Sequence, residues 1–212
     1  MKRLLSNCDV SKATFDVANF DGDWLASFGR PELKGTWTIF GTSGSGKTTF
    51  ALMLCKYLSQ FRRTMYDSLE QGLSRSMQIA WDRVGMSEAG RGIVFGNMIQ
   101  LEDLKEKLSK PKSPQIVLID SITAIQGFHK SDYAELVKAF PQKLFIFIAH
   151  EKNKKAHPAV AEHIRCLSDV KIYVEGYRAF VTSRFEDAEA GEGGEDFTIW
   201  EQGAARYWPD KI

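Results

Sequence analysis

The sequence is poor in cysteine. Cys8, Cys55 and Cys166 are odd in number and widely spaced, so they neither build a disulfide framework nor pair as zinc ligands. Reduced thiols in a cytoplasmic protein are the expectation. No window is long and apolar enough to cross a membrane. The opening MKRLLSNCDV has two basic residues but too short an apolar stretch for a secretion signal, so no membrane partner is expected. Charge of one sign is also lacking: 28 Lys and Arg balance 27 Asp and Glu, for a net charge of +1. Any nucleic-acid contact must therefore come from a local patch. No internal repeat is present. The biased stretch EDAEAGEGGED, Glu186 to Asp196, reads as a solvated acidic loop. What remains is ordinary globular composition, 43% hydrophobic and 26% charged over 212 residues, enough for one α/β domain with a sizeable core.

The most informative stretch is TWTIFGTSGSGKTTF, Thr36 to Phe50. Thr36 to Phe40 read as a buried strand. Gly41-Thr42-Ser43-Gly44-Ser45-Gly46-Lys47-Thr48-Thr49 follows, and Phe50, Leu52, Leu54 and Leu58 then mark a helix. This is the strand–GxxxxGK[ST]–helix order of a P-loop. The glycines let backbone N–H groups curl around phosphate oxygens, and the helix N-terminus adds partial positive charge. Lys47 is placed to reach the β- and γ-phosphates of a bound nucleotide, and the Thr48 hydroxyl to ligate Mg²⁺.

Around this motif, apolar runs alternate with helical patterns. Thr64–Glu70, Gly92–Phe95, Gln115–Asp120 and Leu144–Ala149 read as strands. Helices are expected through Met77–Val84, from Leu101 to Leu108, and over Tyr133–Phe140. Continuous apolar runs such as IVLI and LFIFIA suit parallel strands buried on both faces. The alternation predicts a mostly parallel sheet flanked by helices, with right-handed crossovers. From Asp169 the pattern turns strand-rich, and Val170–Val174, Ala179–Phe185, Phe197–Glu201 and Ala205–Trp208 are expected as antiparallel strands. Residues 1–34 form a lead-in whose aromatics Phe20, Trp24 and Phe28 pack on the core or cup the base. Residues 35–212 form the domain itself.

Ligands of open α/β sheets gather at the carboxyl ends of strands, where Glu70, Asp120 and His150 are expected. Asp120, after IVLI, has the form of a Walker B acid that holds Mg²⁺ directly or through water. Glu70 can orient the water that attacks the γ-phosphate, and His150 can sense that phosphate. Lys152, Lys154, Lys155, His157 and Arg165 follow in EKNKKAHPAVAEHIR, a cation cluster able to contact a phosphate backbone.

The order GTSGSGKTT, YDSLEQG, IVLIDSITAI, LFIFIAH and then a basic loop resembles the RecA-like P-loop ATPase core. It is most similar to the RadA/Sms branch and to short phage or mobile-element recombination ATPases. The resemblance covers roughly residues 30–185. It implies that Lys47, Thr48 and Asp120 bind ATP and Mg²⁺, that Glu70 is the water-activating acid, and that His150 stands where relatives carry a γ-phosphate-sensing Gln. It also implies that Arg184 reaches a neighbouring subunit's nucleotide in a homo-oligomeric ring or filament. Thr182 replaces a Lys of that branch, which puts activation in trans in doubt, and the chain lacks room for the branch's flanking domains. The implied function is a DNA-stimulated ATPase acting on single-stranded DNA in recombination or repair. The alternatives are an ATP-dependent interaction switch with little turnover, and a small-molecule kinase, for which no Arg-rich lid stands out.

Overall fold

A computed structural model describes residues 4–209; Lys2 and Arg3 lie outside them. In chain order the elements are α1 (Asn7–Ser11), α2 (Gly22–Phe28), β1 (Gly35–Gly41), α3 (Lys47–Leu58), β2 (Thr64–Ser68), α4 (Arg75–Val84), β3 (Ile93–Asn97), α5 (Leu101–Ser109) and β4 (Ile116–Asp120). There follow α6 (Lys130–Ala139), β5 (Leu144–Lys152), β6 (Lys155–His157), α7 (Ala159–Leu167), β7 (Val170–Glu175), β8 (Arg178–Ser183), β9 (Phe197–Thr198) and α8 (Glu201–Tyr207).

The strands form one sheet in the order β3-β2-β4-β5-β1-β7-β8-β9, with β6 attached to β5. From β3 to β7 every pairing is parallel; β6, β8 and β9 pair antiparallel. The expected α/β fold, a mostly parallel sheet with antiparallel strands toward the C-terminus, is what the chain forms.

Period-two alternation explains why both faces of the central strands are apolar. Trp37, Ile39, Ile116, Leu118, Ile146 and Ile172 face one core, which α3 covers. Phe40, Val117, Ile119, Phe145 and Phe147 face a second core, with Leu104 and Leu108 of α5 and Leu136 of α6. Two buried threonines of β1 on this second face would be costly without partners. Thr36 Oγ1 meets Tyr133 Oη at 3.1 Å, and Thr38 Oγ1 meets Ser168 Oγ at 2.6 Å.

The lead-in packs on the back of α3. Phe20 and Phe28 are buried in the first core, and Trp24 stacks on Tyr57 with centroids 4.8 Å apart. The Tyr57 hydroxyl donates to Asp21 Oδ1 at 2.8 Å.

Two expectations need correction. Ala205–Trp208 is not a strand, because residues Glu201–Tyr207 form α8; Glu, Gln, Ala and Arg favour helix, and four residues of alternation were too few to outweigh them. The strand expected over Phe197–Glu201 shrinks to Phe197–Thr198. The acidic loop is exposed over most of its length, as expected, and is anchored to α2 near its end. The N–H groups of Gly193 and Glu195 donate to the Leu25 and Ala26 carbonyls of α2 at 3.0 Å each, satisfying helix-end acceptors. Glu192 pairs with Arg30 at 2.8 Å.

Candidate nucleotide site

The turn after β1 is shaped by its glycines. At Gly41 the chain runs so close to β7 that a Cβ would collide with the Val174 carbonyl oxygen. Gly46 adopts φ 104 and serves as the N-cap of α3 without any side-chain cap. The first N–H groups of α3 are therefore left unpaired by side chains and point into an anion-binding hollow. The Lys47 ammonium folds back to donate to the Thr42 carbonyl at 2.6 Å. Burial pulls its pKa below the ordinary lysine value, against the pull of Asp120, Glu70 and Glu151.

Sheet register brings the predicted acids to this hollow. Gly41 pairs with His150 across β1 and β5, and Ser68 pairs with Asp120 across β2 and β4. The N–H groups of Leu69 and Glu70 both donate to the Asp120 carbonyl, at 2.6 and 3.2 Å, which fixes where Glu70 leaves β2. Ser43, Gly44, Gly46, Lys47, Thr48, Thr49, Glu70, Asp120 and His150 thus border one cavity of about 360 Å³. Gly41, Thr42 and Ser45 complete the loop behind it.

The two acids have different surroundings. Burial raises the pKa of Asp120 while the Tyr66 hydroxyl, which donates to its Oδ2, opposes the rise. Burial would also raise Glu70, but Ser121, Thr123 and His150 outweigh it and hold the carboxyl below its ordinary value. All three reach Glu70 Oε1: the Ser121 hydroxyl, the Thr123 hydroxyl at 2.9 Å and His150 Nε2 at 2.9 Å. Tyr66, Ser121 and Thr123 were not singled out from sequence. A tyrosine inside an apolar strand reads as core, and nothing in the spacing tells that its hydroxyl meets Asp120.

The implied Mg²⁺ fits this donor set. Thr48 and Asp120 offer hard oxygen ligands at the rim of the phosphate hollow, and Mg²⁺ characteristically takes one or two protein oxygens and completes its shell with phosphates and water. Among the described residues no cluster of three or more His, Cys, Asp or Glu side chains could hold a metal unaided.

Two other predicted groups lie apart. Arg184 follows β8, whose Ser183 pairs with Val170 of β7, itself opposite Trp37 near the start of β1. It therefore sits at the amino end of the strands, roughly 15 Å or more along β1 from the P-loop. There it pairs with Asp169 at 3.0 Å. Within one chain it does not join the site. In the basic segment, Lys152, Lys154 and Lys155 are exposed on the β5–β6 hairpin, which extends beyond His150. Arg165 is not a free cation: it forks onto Glu162 at 2.8 and 2.7 Å and lies over the Phe40 ring at 5.4 Å.

A parallel sheet with a P-loop leaving its first strand, a strand-end acid two strands away and a further acid on the next strand defines the fold of the RecA-like P-loop ATPases. Comparison with solved structures agrees. The flagellar accessory protein FlaH from Methanocaldococcus jannaschii superposes with a TM-score of 0.59 at 15% identity, over 86% of this chain and 91% of that one. A further solved structure, an ATPase domain, gives 0.54 at 14% identity, over 78% and 81%. A KaiC-like protein from Pyrococcus horikoshii OT3 gives 0.54 at 17% identity, over 78% and 84%. At such identities the likeness establishes the fold and does not single out the RadA/Sms branch. No protein-family profile and no curated protein matches the chain.

Proposed function

We propose that the protein is a Mg²⁺-dependent ATPase that acts on single-stranded DNA in recombination or repair, as a cytoplasmic homo-oligomer whose ATPase domain spans residues 35–212. The observation that carries this reading is the convergence of the uncapped α3 N-terminus, Lys47, Thr48, Asp120 and Glu70 on one hollow. In this reading the loop N–H groups and Lys47 bind the β- and γ-phosphates, and Glu70 orients a water in line with the γ-phosphorus. Mg²⁺ held by Thr48 and Asp120 would neutralise charge on the phosphate oxygens. His150 ties Glu70 to the strand that continues into the lysine-bearing hairpin, a route by which nucleotide state and DNA grip can influence each other.

The test is ATP hydrolysis by the purified protein with and without single-stranded DNA. Stimulation by DNA is expected, with loss of turnover in Lys47→Ala. Glu70→Gln is expected to retain ATP binding and lose about 10² to 10⁴ in turnover. Full steady-state turnover in Glu70→Gln would sink the catalytic assignment. A second reading, an interaction switch with little turnover, draws on Glu70 Oε1 being already taken by three donors. ATP binding without hydrolysis, whether or not DNA is present, would favour it.

A further inference from the structure

Tyr66 stands in the middle of β2, fully buried in the first core. A phenylalanine would fill that space equally, so it is the hydroxyl that needs a reason: a buried polar atom costs free energy unless it is paired. Parallel register supplies the pair. Tyr66 lies opposite Leu118, and Ser68 lies opposite Asp120. Asp120 is therefore on the same face as Tyr66 and two residues, or about 7 Å, nearer the carboxyl ends of the strands. The phenol extends along the sheet over that interval, and its hydroxyl donates to Asp120 Oδ2.

The consequence falls on the other oxygen. Asp120 is itself only 8% exposed and borders the phosphate hollow. Its Oδ1 makes no hydrogen bond with another described residue. One oxygen of the carboxylate is thus fixed by a packed ring, and the other is left for a ligand in the hollow. A hydrogen bond from a neutral hydroxyl to a carboxylate is also among the stronger kinds, so Oδ2 is not readily given up.

We propose that Tyr66 is a positioning residue: by occupying Oδ2 it makes Asp120 a one-oxygen ligand, and it thereby biases the site toward Mg²⁺ over Ca²⁺. This rests on the P-loop reading, with Asp120 as a metal ligand. Mg²⁺ holds a small octahedral shell, keeps several waters and needs few protein oxygens. Ca²⁺ takes about six to eight oxygens in flexible geometry and accepts both oxygens of one carboxylate. With Oδ2 engaged, the two-oxygen mode is closed. Partners that orient a metal ligand in this way typically matter about 10- to 100-fold in metal affinity.

The test is calorimetric titration of a non-hydrolysable ATP analogue into the full chain, in EDTA, in Mg²⁺ and in Ca²⁺, for the wild type and Tyr66→Phe. Affinity with metal divided by affinity in EDTA is the metal gain. Metal binding by the analogue itself is common to both chains, so a change in the gain belongs to the protein. In Tyr66→Phe the Mg²⁺ gain is expected to fall about tenfold or more. The Ca²⁺ gain should fall less or rise, so that the preference for Mg²⁺ narrows, while affinity in EDTA stays the same. A merely structural role would lower all three affinities together and leave the preference unchanged. That result, or an unaltered Mg²⁺ gain, overturns the proposal. Should Tyr66→Phe fail to fold, Asp120→Glu carries the carboxylate past the hydroxyl and is expected to narrow the preference likewise; an unchanged preference there also overturns it. Failure of the underlying reading has its own signature: an analogue whose binding survives Lys47→Ala, or a metal gain that survives Asp120→Asn, and the proposal then falls with it.

Discussion

Asp67, Glu70 and Asp120 leave neighbouring strands within a few residues of one another, and their surroundings set them apart. Asp120 faces the α3 side of the sheet with Tyr66. Asp67 points to the other face, where it is fully buried; its Oδ1 accepts from the Ile99 N–H at 3.2 Å, and its Oδ2 has no partner among the described residues. Gly96 makes this possible, since a Cβ there would lie 2.6 Å from Asp67 Oδ1. Burial pushes the Asp67 pKa up to about 6 from 3.8. The folded state therefore holds this proton more tightly than the unfolded chain does. Stability on this account is highest below the unfolded value and falls as pH rises through the window from 3.8 to about 6. Two units correspond to a cost of about 3 kcal/mol at neutral pH. Asp67→Asn removes the titration, so the stability of the variant relative to wild type should rise by about 3 kcal/mol between about pH 4 and pH 7. Urea unfolding at each pH measures this, and a difference that stays flat would mean that Asp67 titrates as an ordinary carboxyl. Such a group is invisible in the linear chain, because an acid inside TMYDSLE looks the same whether its side chain meets phosphate or an apolar wall.

The elements that carry the site were those easiest to read. Apolar runs ending in Gly41, Asp120 and His150 announce buried parallel strands, and a sheet of that kind must set their ends side by side. What escaped were elements too short to have a period. The segment after His150 reads as a basic loop, yet residues 150–157 form a hairpin turning on Asn153 and Lys154, with φ 56 and 58. The turn holds Lys152, Lys154 and Lys155 out from the sheet, whereas Arg165, counted with them from sequence, belongs to α7 and is engaged by Glu162. The two kinds of cation should behave differently. If the hairpin grips single-stranded DNA as proposed, replacing the three lysines by Ala should weaken that binding and lower the slope of log K against log[salt] by about two, with ATP binding unchanged. Arg165→Ala should instead lower thermal stability, through the loss of its fork onto Glu162 and its packing on Phe40, and leave the salt slope alone. Equal losses of DNA affinity in both variants would put Arg165 back among the DNA contacts.

At the scale of the whole molecule, the sheet separates two groups that the sequence assigned to one reaction. Lys47 lies at the carboxyl end of β1 and Arg184 at the amino end of the same strands, so a shared nucleotide requires a second copy placed head to tail. Such a heterologous contact builds rings or filaments. Arg184 is well placed to leave its own chain, being 61% exposed at its side chain with Asp169 as its ion-pair partner, and an exposed pair of this kind is worth little. The order of the motifs alone does not tell that the two lie at opposite ends; the antiparallel return expected over Ala179–Phe185 does, and β8 makes that return. The arrangement makes a mixing experiment decisive. Lys47→Ala chains lack a working phosphate site but keep Arg184, while Arg184→Ala chains keep the site but lack the arginine. If Arg184 acts across an interface, each variant alone should be nearly inactive. Equal amounts mixed should regain activity, because random assembly joins an intact site to an intact arginine at about one interface in four. Activity of the mixture that stays at the mean of the two separate variants would mean that Arg184 serves only its own chain, and would remove the main chemical reason for an ordered oligomer.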